Sequence, residues 1–236
     1  MRKRLLEIFQ RLLKAYGPQH WWPGGSPFEV IVGAILTQGV AWSNVKRAII
    51  SLKEAGLMAS KRLADTPTEK IAGLIRPCIY YNEKAKKLKA FLAFLEERHH
   101  GDLSLLLSVD SLREELLTVR GIGKETTDAI ILYAANKPSF VVDAYTRRIL
   151  QRLTVIEERA TYEGVRRLLM RSLPTDVPLY NKYHALLVRH GKARCHRRPL
   201  CEGCPLRSLC SFPDRSTQVN RTNKKTPSPL DRLDCL

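Results

Sequence analysis

No run of this 236-residue chain is long and apolar enough to cross a bilayer. The most apolar stretch, Phe28 to Trp42, is short and carries Glu29 and Gln38. The opening MRKRLLEIFQRLLK begins like a signal peptide. However, Glu7, Gln10, Arg11 and Lys14 interrupt its apolar part, so an amphipathic helix is expected instead. Strand patterning is nearly absent: only Phe140-Val141-Val142 reads as extended, and it is too short for a sheet. No segment repeats. Acidic residues are scarce, 23 Asp and Glu against 40 Lys and Arg. These absences exclude a membrane-spanning chain, a β-sheet protein and a repeat array. A cytoplasmic location is expected, where six cysteines are thiols or metal ligands rather than disulfides.

What is present is a basic chain able to fold. Apolar residues make up 44%, which excludes global disorder, and the length accommodates one or two domains with proper cores. A formal net charge of +17 on a folded chain suggests a polyanionic partner, because neutralising phosphates releases condensed counterions; a generally basic, well-solvated surface is the alternative.

The periodicity is helical. Leu5, Phe9, Leu12 and Tyr16 share one face, and Gly17-Pro18 ends that segment. Pro27 to Leu36 is apolar nearly all round, which predicts a central buried helix. Ser43 is the expected cap of a helix running to about Gly56. Thr66-Pro67-Thr68-Glu69 reads as a capping box with Pro at the first helical position. Asn82 opens a long helix with Ala85, Leu88, Leu92 and Leu95 inward, stopped by Gly101. Further helices start near Ser111, Lys124, Asp143, Thr161 and Asp176, and Gly191 is expected to close the last. Residues 211–236 turn to Ser, Thr, Asn, Lys and Pro and read as a disordered tail.

Cys195, Cys201, Cys204 and Cys210 form C-x5-C-x2-C-x5-C. Four thiolates this close call for a soft metal centre. Zinc modules usually show two short Cys pairs across a longer loop. A single C-x2-C flanked by wider gaps favours an iron–sulfur cluster. Arg189, Lys192, Arg194, Arg197, Arg198 and Arg207 surround these cysteines, either to meet a phosphate backbone or to offset thiolate charge. Cys78 and Cys235 read as ordinary thiols.

Leu116 to Thr126 carries a Gly121-Ile122-Gly123 turn between two helical segments, followed by Lys124, Glu125 and Thr126. Glycines permit left-handed angles and close approach of another backbone. Such a turn delivers amides to a helix N-terminus, where a DNA phosphate fits without sequence being read. A plain helix connection with Ile122 as its core plug is the alternative.

In combination, this hairpin, the Val141-Val142-Asp143 run and the four-Cys loop resemble the endonuclease III superfamily of helix-hairpin-helix DNA glycosylases. The resemblance spans roughly residues 1 to 210. It implies an all-α, two-domain fold with DNA in the cleft between the domains. One domain would be a helical barrel over 27–138, with the hairpin at about 111–136. The other would join 1–26 to 139–210 and hold a 4Fe-4S cluster on the four cysteines. Asp143 would be the catalytic carboxylate, stabilising positive charge on the sugar as the base departs and orienting the attacking water. A simple helix N-cap is its alternative role.

Two departures narrow the reading. Bifunctional members carry a nucleophilic lysine two residues after the second hairpin glycine, where this chain has Glu125. Lys124 is adjacent but points about 100° away. A monofunctional enzyme with little strand cleavage is therefore expected. Further, His20-Trp21-Trp22-Pro23 and Leu36 to Trp42 hold all three tryptophans and are similar to pocket segments of the bacterial 3-methyladenine glycosylase branch. Indole faces attract a cationic alkylated purine. Trp21, Trp22, Pro23, Trp42 and Glu125 are the expected base pocket. A hydrophobic seal between domains is the alternative for Trp21 and Trp22. Gln38 matches the residue that fills the flipped nucleotide's space, and Tyr80 matches a wedge against the opposite strand, with ordinary packing before a helix cap as its alternative.

The expected partner is double-stranded DNA containing a damaged base, bound by a monomer near the nucleoid, with no membrane. Rival readings are an oxidised-pyrimidine or mismatch glycosylase of the endonuclease III type, a non-catalytic iron–sulfur DNA-binding protein, and a zinc-bound nucleic-acid module.

Overall fold

The computed structural model describes residues 1–19 and 25–212, and these are helical with no strand among them. Trp21, Trp22 and Pro23 and the expected tail beyond Phe212 lie outside the described residues. The helices are α1 (Arg2–Tyr16), α2 (Pro27–Leu36), α3 (Trp42–Glu54), α4 (Ser60–Asp65), α5 (Thr68–Leu74), α6 (Tyr81–His99), α7 (Leu103–Ser108), α8 (Leu112–Thr118), α9 (Lys124–Ala129), α10 (Ala144–Arg152), α11 (Tyr162–Ser172) and α12 (Val177–Ala193). A π-helical turn, Ile130–Ala134, continues α9, and a 3-10 turn occupies Arg207–Leu209. The described residues fall into two compact units, those within Trp22–Ser139 and those within Met1–Trp21 and Phe140–Leu236.

In the first unit α2 is the core. Every residue from Phe28 to Leu36 is buried, as its all-round apolar sequence demands. Pro27 occupies the first turn, and Ser26 caps the helix by accepting the Glu29 amide at 3.2 Å. Glu29 is itself buried, paired with Lys53 at 2.8 Å. At the far end the buried Lys84 ammonium donates to the Leu36 carbonyl at 2.8 Å, so a cation meets the negative end of the helix. Burial pulls Lys84 down to about 8. The helices α3, α6 and α9 with its π turn pack on α2.

In the second unit α12 packs against α1 and α10. Leu5, Ile8 and Leu12 of α1 are buried, and the Tyr183 hydroxyl donates to the Leu5 carbonyl at 2.9 Å. Phe140, Val141 and Val142 form a buried extended connector. Phe140 seats its ring on Tyr180 and Tyr183, with centroids 5.5 and 5.8 Å away.

Several local expectations are corrected. Ala41, not Ser43, is the N-cap of α3, because the turn closed by Val40 N–H on the Thr37 carbonyl sets the start two residues earlier. Thr66 closes α4 by donating to the Arg62 carbonyl at 2.8 Å, and Pro67 is the N-cap of α5, so no capping box forms. Gly191 does not end α12, which runs on to Ala193. Its missing side chain instead admits the Tyr145 ring: a Cβ there would stand 2.3 Å from Tyr145 Cδ1. The first two residues of the expected tail are tied down, Ser211 N–H donating to the Arg152 carbonyl and Phe212 lying 4.3 Å under the Arg152 guanidinium.

Candidate functional site

Asp143 precedes α10 with extended backbone geometry and is its N-cap, Oδ1 accepting the Thr146 amide at 2.7 Å. The other oxygen, Oδ2, lies 3.6 Å from Nε2 of the buried His184 on α12, within ion-pair range. The Asp143 side chain is 13% exposed. Burial pushes its carboxyl up. The interaction with His184 and the Thr146 amide outweighs that, so the group is held below the ordinary carboxylate range. Asp143 is thus both the helix cap and a shielded, ionised carboxylate. His184 was not anticipated from the sequence: a lone histidine among Tyr180, Tyr183 and Leu187 on an apolar helix face reads as core.

The hairpin lies in the other unit. Val119 and Ile122 are buried, and Ile122 N–H donates to the Val119 carbonyl at 3.0 Å. Gly121 is left-handed at φ 87°, and a Cβ there would strike the Lys87 stem at 2.5 Å. Gly123 has φ −93° with open space around it, so only the first glycine is demanded by backbone and packing. Gly123 is the N-cap of α9 and offers the first turn no side-chain acceptor. Lys124 and Glu125 are exposed there.

Two of the residues expected at DNA have buried side chains. The Ile122 side chain is buried as the plug of the turn. Thr126 is buried as well, and its hydroxyl accepts the Gln38 amide at 2.9 Å. Gln38 also donates to the Gly121 carbonyl at 3.1 Å and accepts from Lys87. It is therefore strapped to the hairpin rather than standing alone. Lys87 was missed, since nothing in its helix pattern marks it. Tyr80 is 76% exposed and left-handed at φ 58°, a strained aromatic tip beside exposed Ile79. Trp42 is half-buried at the first position of α3.

Cys195, Cys201, Cys204 and Cys210 line one pocket with Ile149, Leu153 and Leu206. Burial pushes the Cys204 thiol up, and the other three thiols push it the same way. Among the described residues no three His, Cys, Asp or Glu side chains are gathered to hold a single ion. Arg152 grips the loop from α10, donating to Cys195 Sγ at 3.1 Å and to the His196 and Arg197 carbonyls at 2.6 and 3.0 Å. Arg148 donates to the Cys195 carbonyl at 2.7 Å. Beneath the loop, Tyr16 Oη lies 2.8 Å from His190 Nδ1, and His190 Nε2 lies 3.9 Å from Cys204 Sγ. Burial pulls His190 down to about 4, so it is neutral at pH 7. Of the cations expected around the cysteines, Arg194 is engaged with the Glu202 carbonyl and Arg207 with that of Phe212, while Arg189, Lys192, Arg197 and Arg198 are exposed.

One family pattern covers the hairpin and Asp143. Residues 32–175 match the HhH-GPD superfamily base excision DNA repair proteins. The chain belongs to the HhH-GPD superfamily. It is 43% identical over 210 residues, 87% of this chain and 95% of the other, to a protein of Methanocaldococcus jannaschii whose assignment as a DNA repair glycosylase is provisional. An endonuclease III in a non-covalent complex with DNA superposes with a TM-score of 0.79 over 94% of this chain and 99% of its own, at 21% identity, which establishes the common fold. An H. pylori 3-methyladenine DNA glycosylase bound to 1,N6-ethenoadenine is 28% identical, with a TM-score of 0.68 over 81% of this chain and 95% of its own. This HhH-GPD chain is accordingly a DNA repair glycosylase with the all-α fold of endonuclease III. No helix among its described residues is long and apolar enough to cross a membrane.

Proposed function

We propose that this glycosylase is monofunctional and releases an alkylated purine, such as 3-methyladenine, from double-stranded DNA. The observation that carries the reading is Asp143, a shielded carboxylate kept ionised at the start of α10. Loss of the base leaves positive charge on the sugar, and a fixed carboxylate in a site of low dielectric stabilises it. The same carboxylate accepts a proton from the attacking water. An alkylated purine is cationic and leaves readily, so electrostatic support and stacking suffice without a strong general acid. Trp21, Trp22, Pro23, Trp42 and Glu125 form the proposed base pocket. Likeness to the H. pylori enzyme supports this substrate class.

The hairpin holds a phosphate through the Gly121–Gly123 turn and Lys124, and Lys87 with Gln38 keeps that turn rigid. Tyr80 wedges the duplex. Glu125 in place of an amine leaves the hairpin helix without a Schiff-base nucleophile.

The four cysteines suit a 4Fe-4S cluster. Each iron of such a cluster takes one thiolate, and all four cysteines line the same pocket. Such a cluster would anchor the loop and its exposed arginines. The Tyr16–His190 pair and Arg152 would hold Cys204 and Cys195 from outside.

A substrate panel tests the reading. Duplexes bearing methylated purines, oxidised pyrimidines or mismatches are incubated with the protein and the released bases identified by chromatography. Methylated purine is expected to dominate, and release of oxidised pyrimidine alone would replace the substrate assignment. Borohydride trapping of a covalent DNA adduct at the level of base release would overturn monofunctional action. Tight duplex binding with no release from any lesion would favour a non-catalytic role.

A further inference from the structure

The two oxygens of Asp143 are held by different means. Oδ1 is fixed locally by the Thr146 amide, whereas Oδ2 faces His184, which comes from α12. The imidazole side chain is 6% exposed. The packing leaves few other charges to set this pair. On α10, Arg147 is spent on the Ala160 carbonyl, and Arg148 and Arg152 on the cysteine loop. On α12, Lys182, Arg189 and Lys192 are exposed and His190 is engaged by Tyr16. On α1, the other helix packed on α12, the buried face is Leu5, Ile8 and Leu12. There Arg4 bonds to the Leu153 carbonyl, Glu7 pairs with Arg11, and Arg2, Lys3 and Lys14 are exposed.

We propose that His184 is a positioning residue for Asp143, facing its second oxygen from α12 as the ionic partner of the carboxylate. The proposal rests on the assignment of Asp143 as the catalytic carboxylate. A shielded carboxyl without a partner takes up a proton, and a protonated Asp143 neither stabilises a sugar cation nor accepts a proton from water. N-capping alone fixes one oxygen and leaves rotation toward solvent open to the other. The His184 ring closes that freedom and offsets the burial.

The test compares wild type with His184→Phe, which keeps the ring volume without donor or charge, and with His184→Gln, whose amide restores a donor near the Nε2 position. Base release from methylated duplex is followed from pH 5 to 8.5. In parallel, the Asp143 carboxyl carbon is titrated by 13C NMR, assigned with Asp143→Asn. In His184→Phe the acid limb of the rate profile and the NMR titration are expected to move up together by about one pH unit or more. His184→Gln is expected to recover part of that shift. A merely structural histidine would lower the rate equally at all pH values. An unmoved NMR titration in both variants overturns the proposal, and does so even if Asp143→Asn abolishes base release and the glycosylase reading stands. Conversely, a moved titration upholds the pair even if the wild-type protein released no base, an outcome that would fail the substrate reading alone. Should His184→Phe not fold, the same two readouts on His184→Leu, which also lacks donor and charge, decide the matter.

Discussion

The helix-hairpin-helix turn and the cysteine loop are both irregular segments held rigid, by opposite means. The hairpin has a plug of its own and is braced by two other residues of its unit. Ile122 plugs it, Gly121 lets the Lys87 stem pass beneath, and Gln38 straps it through the Gly121 carbonyl and the Thr126 hydroxyl. The cysteine loop has little core of its own. Of Cys195 to Cys210, only Cys195 and Leu206 are buried, and the loop is gripped from outside by Arg148 and Arg152 while its four thiols face one apolar pocket. A packed plug with the Gln38 strap secures the first, and arginine donors reaching in from α10 secure the second. The two should therefore respond to different insults.

The largest expected effect is on the loop. Cys204→Ala is predicted to abolish broad visible absorption of the iron-loaded protein and to lower its melting temperature by roughly 10 °C, the scale of several kcal/mol of ligand-linked stability in a chain this long. Duplex affinity through the hairpin should survive in part, and equal loss of both would show that the two segments are one cooperative element. Gly121→Ala comes next. A left-handed alanine costs about 1–2 kcal/mol, and the Lys87 stem must move as well. Calorimetry should show a melting point lower by roughly 3–6 °C with visible absorption intact.

Lys84, under the end of α2 that leads to Gln38, gives a pH-dependent effect. Its folded value of about 8 lies below the ordinary 10.5. Between those values the unfolded chain binds more protons than the folded one, so wild-type stability should rise with pH across that window. Lys84→Met should remove that rise in urea titrations at pH 7.5 and 10.5, and a rise that persists in the variant would clear Lys84 of responsibility. The smallest effect belongs to Gly123→Ala, which meets open space at an ordinary φ and should change stability by no more than about 0.5 kcal/mol. A large drop in duplex affinity without loss of stability would then report a phosphate resting against that glycine.

Features decided within a few residues were legible in the sequence. Asp143, Thr161 and Asp176 cap helices by accepting amides three residues on, and Pro27–Leu36 is buried because it is apolar on every side. The six-residue helices α4 and α7 are too short to show a period. Side-chain partners distant in sequence were not legible. Gln38 reaches Gly121 and Thr126, Arg152 reaches Cys195, and His184 faces Asp143 only because helices pack. Gly191 misled because its vicinity to a helix end suggested termination, while its true constraint is the Tyr145 ring.

The most direct measurement of the central claim is single-turnover base release from a methylated duplex by wild type and Asp143→Asn, with duplex affinity measured beside it. The substitution keeps an oxygen to cap α10 and removes the charge. Release is predicted to fall by about 100-fold or more while affinity stays within about threefold. Equal rates in the two proteins would contradict the assignment of Asp143 as the group that supports the departing base.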